Sequence, residues 1–134
     1  MREKQKILFV CVENSCRSQM AEGFARLHGA GRIESFSAGS RPSGKVNATA
    51  VQVMREKGVD LTVHSSKGLN DLPAGSWAAV VTMGCGDACP SLPAERRLDW
   101  ALPDPKRMPL DGFRAVRDDI ESRVKVLLAD IAGA

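Results

Sequence analysis

The segment Ile7-Leu8-Phe9-Val10-Cys11-Val12 is apolar at every position. Neighbouring side chains of an extended strand point to opposite faces, so this one has no polar face to turn to water. It reads as a central strand that needs cover on both sides, as in a parallel sheet layered with helices. Ile33 to Ser37 and Ala78 to Met83 read as further strands. Arg97 to Leu102 reads as a fourth, because Leu98, Trp100 and Leu102 alternate with polar or small residues. Between them lie helical patterns. Ser18 to His28 carries Met20, Ala21, Phe24, Ala25 and Leu27 at helical spacing, with Gly29 as a stop. Asn47 is a candidate N-cap for a helix through Lys57, with Gly58 after it. From Asp111 onward, Phe113, Val116, Ile120, Val124, Leu127, Leu128 and Ile131 recur every three or four residues. The pattern predicts a single α/β domain over residues 1–134, a three-layer sandwich on a four-stranded parallel sheet with about four helices.

Charge and cysteine usage narrow the function. A net charge of +3, with no single-sign run, gives no basic arm for nucleic acid and no membrane-binding patch. It mildly favours an anionic substrate. The apolar stretch at Ile7 is too short for a membrane span or a signal-peptide core, so the expected location is the cytoplasm. In that reducing compartment the four cysteines point to catalysis, redox exchange or metal rather than a disulfide framework.

Cys11-Val12-Glu13-Asn14-Ser15-Cys16-Arg17-Ser18 falls where a strand ends and a helix begins. The first turn of a helix has free N–H groups and the positive end of the dipole. A loop wrapped around it makes an oxyanion site, and all eight residues are candidates to line it. Cys11 stands at its base as a nucleophile. Arg17, with five residues between it and Cys11, offers a planar fork for two oxygens of the anion. Ser18 can give its hydroxyl to the Cys11 thiolate.

Cys-x-x-Asn-x-x-Arg-Ser-Gln-Met-Ala-Glu-Gly, from Cys11 to Gly23, resembles the phosphate loop and first helix of thioredoxin-coupled arsenate reductases in the low-molecular-weight tyrosine phosphatase superfamily. Ser37-Ala38-Gly39, Val81-Thr82-Met83, Cys89-Pro90 and Asp104-Pro105 extend the resemblance along the chain in order. It implies that Asp104 is the general acid, since a departing oxide needs a proton. It also implies a relay in which Cys11 attacks arsenate, Cys85 attacks Cys11, and Cys89 resolves the disulfide for thioredoxin to reduce. Three residues separate Cys85 from Cys89, fewer than in well-known members. Cys16, inside the loop, is expected to pack rather than react.

Asn14, Glu22 and Ser37 match positions that hold potassium in some relatives. Lys67 replaces a carboxylate there, so no potassium is expected; no other metal and no cofactor is expected either. Glu13 replaces a common glycine, and its side chain is expected to face solvent. His28, His64, Trp77 and Trp100 are assigned structural places. The protein is expected to act as a monomer. Two other functions compete. One is a tyrosine phosphatase using Cys11, Arg17 and Asp104, disfavoured because Lys106-Arg107-Met108 follows Asp104-Pro105 where aromatic residues often wall the pocket. The other is a zinc-binding or redox-sensing module using all four cysteines, disfavoured because Cys11 ends a buried strand and the Arg17 fork would be left without purpose.

Overall fold

The computed structural model describes residues 5–73, 75–83 and 92–132. Four strands, β1 (Gln5–Cys11), β2 (Ile33–Gly39), β3 (Trp77–Thr82) and β4 (Ala94–Asp99), form one parallel sheet in the order β2-β1-β3-β4. Three α-helices, α1 (Arg17–His28), α2 (Ala48–Arg55) and α3 (Leu110–Ala132), stand among the described residues. The fold is thus the expected α/β class.

β1 is central, and its alternating side chains divide between two cores. Ile7, Phe9 and Cys11 pack with Met20 and Phe24 of α1, Val53 and Met54 of α2, and Phe113, Ile120 and Val124 of α3. Leu8 and Val10 face the other way, onto Ala38, Trp77 and Val80, covered by Leu69, Leu72 and Leu92. From Ile7 to Cys11 both faces of β1 are dry, so the apolar sequence of that stretch is the physical cause of its central place. Each such fully buried side chain contributes about 1.5–3 kcal/mol.

Local signals set most boundaries. The Asn47 side chain accepts from Thr49 N at 2.8 Å and Ala50 N at 3.0 Å, and so starts α2. Gly58, with φ of 78°, turns the chain after α2 into a conformation that a side chain would strain. The fourth strand differs from its expected bounds. It runs Ala94–Asp99, three residues earlier than Arg97 to Leu102. As an edge strand it is mostly solvent-exposed, so it carries little apolar alternation. Trp100 and Leu102 are buried, but by the turn after the strand, where Leu102 N bonds to Trp100 O. The Trp100 ring packs on Phe9 at 5.9 Å between centroids.

No helix among the described residues is long and apolar enough to cross a membrane. From β1 the chain reaches β2 on one side, then crosses by way of α2 to β3 on the other. Open α/β sheets bind ligands at such a reversal, beyond the carboxyl ends of the strands. Cys11 is the last residue of β1.

Candidate active site

The Cys11–Ser18 loop is shaped from outside. Arg41 N donates to Val12 O at 2.8 Å, Ser43 N to Glu13 O at 3.0 Å, and Asn47 N to Ser15 O at 3.0 Å. Ser66 Oγ donates to Glu13 O at 3.1 Å and Gln19 Nε2 to Asn14 O at 3.1 Å. The carbonyls of Val12, Glu13, Asn14 and Ser15 are thus all engaged by surrounding groups. Gly39 permits this close approach: a Cβ there would lie 2.5 Å from Val12 O and 2.9 Å from Asn14 N.

Asn14 is the internal brace. It adopts a φ of 51°, a left-handed conformation that asparagine tolerates better than most residues. Its Oδ1 accepts from Lys67 N at 2.9 Å and Gln19 Nε2 at 3.0 Å, and its Nδ2 donates to Ser18 Oγ at 2.8 Å. Ser18 Oγ lies 2.8 Å from Cys11 Sγ. With Asn14 donating to the Ser18 oxygen, the serine hydrogen is free to point at sulfur. Amide, hydroxyl and sulfur thus form one polarised chain aimed at a thiolate.

A small pocket, about 20 Å³ in volume, is lined by Cys11, Val12, Glu13, Ser15, Cys16, Arg17 and Asp104. One water needs about 10–15 Å³ on that scale, so the space suits a small group. Helix α1 opens on it with no side-chain cap and no acidic residue in its first turn. Its first N–H groups therefore suit an anion. Arg17 is buried, and its Nη1 donates to Leu102 O at 3.0 Å, which fixes the guanidinium plane. Its Nη2 is 4.0 Å from Asp104 Oδ2. Asp104 is half-exposed at the start of a short 3-10 turn (Pro105–Arg107), and its Oδ1 accepts from Lys106 N at 3.1 Å.

The structure places Cys11, Arg17 and Asp104 on one pocket; of the eight loop residues expected to line it, Asn14 and Ser18 instead stand behind Cys11. Cys85 and Cys89 lie outside the described residues. Cys16 is buried, and burial pushes its thiol up to about 11. A thiol held protonated in this way is a poor nucleophile at neutral pH. Glu13 faces solvent as expected, and there its carboxylate also accepts from Lys106 Nζ at 2.9 and 3.2 Å.

Below the loop is a charged cluster. Glu22 accepts a short hydrogen bond from Ser37 Oγ. Lys67 Nζ lies 3.6 Å from Glu22 Oε1 and donates to Ser65 O at 3.2 Å. A tethered ammonium thus already balances Glu22. No group of three or more His, Cys, Asp or Glu side chains placed to hold a metal occurs among the described residues. His64 Nδ1 meets Gln19 Oε1 at 2.8 Å and Nε2 meets Arg26 Nη1 at 2.6 Å, so the neutral ring with hydrogen on Nδ1 satisfies both. Gln19 and His64 thereby brace Asn14 from beneath. The Gln19 in the sequence motif hinted at this; His64, 45 residues away, gave no local sign.

Known proteins carry the same architecture. A glutaredoxin arsenate reductase of Synechocystis sp. is 40% identical over 131 residues, covering 96% of this chain and 99% of that protein. A solved arsenate reductase in a phosphate-binding state superposes with a TM-score of 0.85 at 40% identity, over 95% of this chain and 98% of that one. The thioredoxin-dependent arsenate reductase of Corynebacterium glutamicum gives a TM-score of 0.78 at 29% identity, over 98% of this chain and 63% of its own. A family match over residues 6–134 takes in the sheet, the Cys11 loop and all three helices, and on that ground the chain belongs to the low molecular weight phosphotyrosine protein phosphatase family.

Proposed function

We propose that this protein is an arsenate reductase in which Cys11 attacks arsenate. The observation that carries the reading is Cys11 Sγ on the wall of a small pocket, 2.8 Å from Ser18 Oγ, with Arg17 and Asp104 beside it. The likeness to proteins named arsenate reductases, at 40% identity over nearly the whole chain, supports reduction over hydrolysis.

In the proposed reaction Arg17 and the loop N–H groups hold the oxygens of arsenate. The Cys11 thiolate forms a bond to arsenic as one arsenic–oxygen bond breaks. Asp104 supplies a proton, and the oxygen leaves as water. The Cys85 thiolate then attacks Cys11 Sγ. A disulfide forms, the sulfur–arsenic electron pair stays on arsenic, and arsenite departs. Cys89 displaces Cys11 to give a Cys85–Cys89 disulfide, which an external dithiol reduces. The chain leaves β3 at Met83, whose N–H donates to Val10 O at 2.8 Å, two residues before Cys85. Thioredoxin is the proposed reductant. The relatives' names include both thioredoxin and glutaredoxin, so both belong in the test.

The experiment is arsenite production from arsenate with NADPH and either the thioredoxin or the glutaredoxin–glutathione system, comparing wild type with Cys89→Ser. Turnover that collapses in the variant supports the relay, and the faster system names the reductant. No turnover by wild type with either system, beside efficient phosphotyrosine hydrolysis, would overturn the reading. The same Cys11, Arg17 and Asp104 would then serve a phosphatase, the second reading that the family match favours.

A further inference from the structure

Glu13 is the one acidic side chain on the Cys11–Ser18 loop, and it lines the pocket together with Asp104. Two carboxylates beside an anion site oppose the anion. Lys106 answers both. Its backbone N–H donates to Asp104 Oδ1 at 3.1 Å, and its ammonium donates to Glu13 at 2.9 and 3.2 Å. Pro105 fixes the backbone between the acid and the lysine. The contact joins segments 93 residues apart in sequence, the anion loop and the turn that follows β4.

We propose that Lys106 is a positioning residue for the oxyanion site: it cancels the Glu13 charge at the pocket wall and fastens the Asp104 turn to the anion loop. The proposal rests on the reading of that pocket as an oxyanion site. It makes Lys106 act on two quantities with different signs. Loss of Lys106 leaves Glu13 uncompensated and weakens anion binding. Loss of the Glu13 carboxylate leaves Lys106 unpaired and strengthens it. Either loss releases the acid turn and slows turnover. Both side chains are partly exposed, so the effect is modest and is screened by salt.

The test uses the reduced full-length protein. Inorganic phosphate is titrated against alkylation of Cys11 by iodoacetamide, followed on the Cys11 peptide by mass spectrometry. Lys106→Met is expected to raise the half-protecting phosphate concentration about two- to fivefold, the range an exposed ion pair allows. Glu13→Gln is expected to lower it by a similar factor, and the double variant to return towards wild type. In arsenate turnover both single variants are expected to lose kcat, and Lys106→Arg to retain it. Single variants that shift phosphate affinity in the same direction, or not at all, would overturn the proposal while leaving the pocket reading intact. A wild-type protein whose Cys11 phosphate fails to protect would overturn both.

Discussion

Asn14 offers the sharpest quantitative test of how the loop is held. Asn14→Ala removes three hydrogen bonds: to Ser18 Oγ, from Gln19 Nε2 and from Lys67 N. At about 1 kcal/mol net for each, the loss is about 3 kcal/mol, and leaving Lys67 N–H without its partner raises it towards about 4 kcal/mol. The φ of 51° adds a second cost. An alanine in the left-handed region is strained by about 1–2 kcal/mol, whereas glycine is not. Glycine loses about 0.5–1 kcal/mol in backbone entropy relative to alanine. Asn14→Gly should therefore be more stable than Asn14→Ala by about 0.5–1 kcal/mol, the reverse of the usual order inside an element. For a chain of this size about 3–5 °C accompanies each kcal/mol, so the alanine variant, about 4–6 kcal/mol less stable, should melt about 12–30 °C below wild type. Thermal and urea unfolding by circular dichroism measure both quantities. Alanine equal to or better than glycine would refute the backbone argument. A loss below about 1 kcal/mol in both variants would refute the brace itself.

Three further outcomes follow from the surroundings of the site. Burial pushes the Cys16 thiol up to about 11, so iodoacetamide at pH 7.5 should modify Cys11 and spare Cys16; equal labelling in peptide mass maps would contradict this. Burial also holds His64 below its usual range, with Arg26 and Lys67 reinforcing and Glu22 and Asp60 opposing. A histidine depressed in the folded state lends stability that is complete above its unfolded pKa of about 6.5 and is lost as pH falls through the folded value. The melting temperature should therefore drop from pH 7 to pH 5, and His64→Asn should flatten that slope while lowering stability at pH 7; an unchanged slope would remove His64 from the account. Finally, Lys67 already balances Glu22, so turnover and melting should be the same in potassium and sodium, whereas Lys67→Glu should make melting depend on potassium. A wild-type protein stabilised by potassium alone would refute this.

Much of the molecule was legible because its signals are local. The dry β1 segment, the Asn47 cap and the apolar stripe of α3 each follow from spacing within one element. Cys11, Arg17 and Ser18 were legible because a strand-to-helix junction dictates where their atoms go. Sequence and structure part where the chain depends on distant partners. β4 lies three residues before the alternating stretch because its own residues are exposed, while Trp100 and Leu102 take their burial from Phe9 and the turn. Glu13 does face solvent, but nothing within its own loop predicts its Lys106 partner. The His64 support under Gln19 was hidden for the same reason. The paired Cys85 and Cys89 remain a reading from sequence.

The outward bonding of the loop carbonyls bears on attempts to move this chemistry into another protein. Cys11 to Ser18 looks portable, eight residues between a strand and a helix. Its curvature, however, is held by Arg41, Ser43 and Asn47 from one side and Ser66 and Lys67 from another. It also presses against a position, Gly39, that tolerates no side chain. A host scaffold given only the eight-residue motif would have the letters without the mould, and its loop N–H groups would have no reason to converge. A successful graft would transplant the three buttressing segments with it, which amounts to most of one end of the sheet.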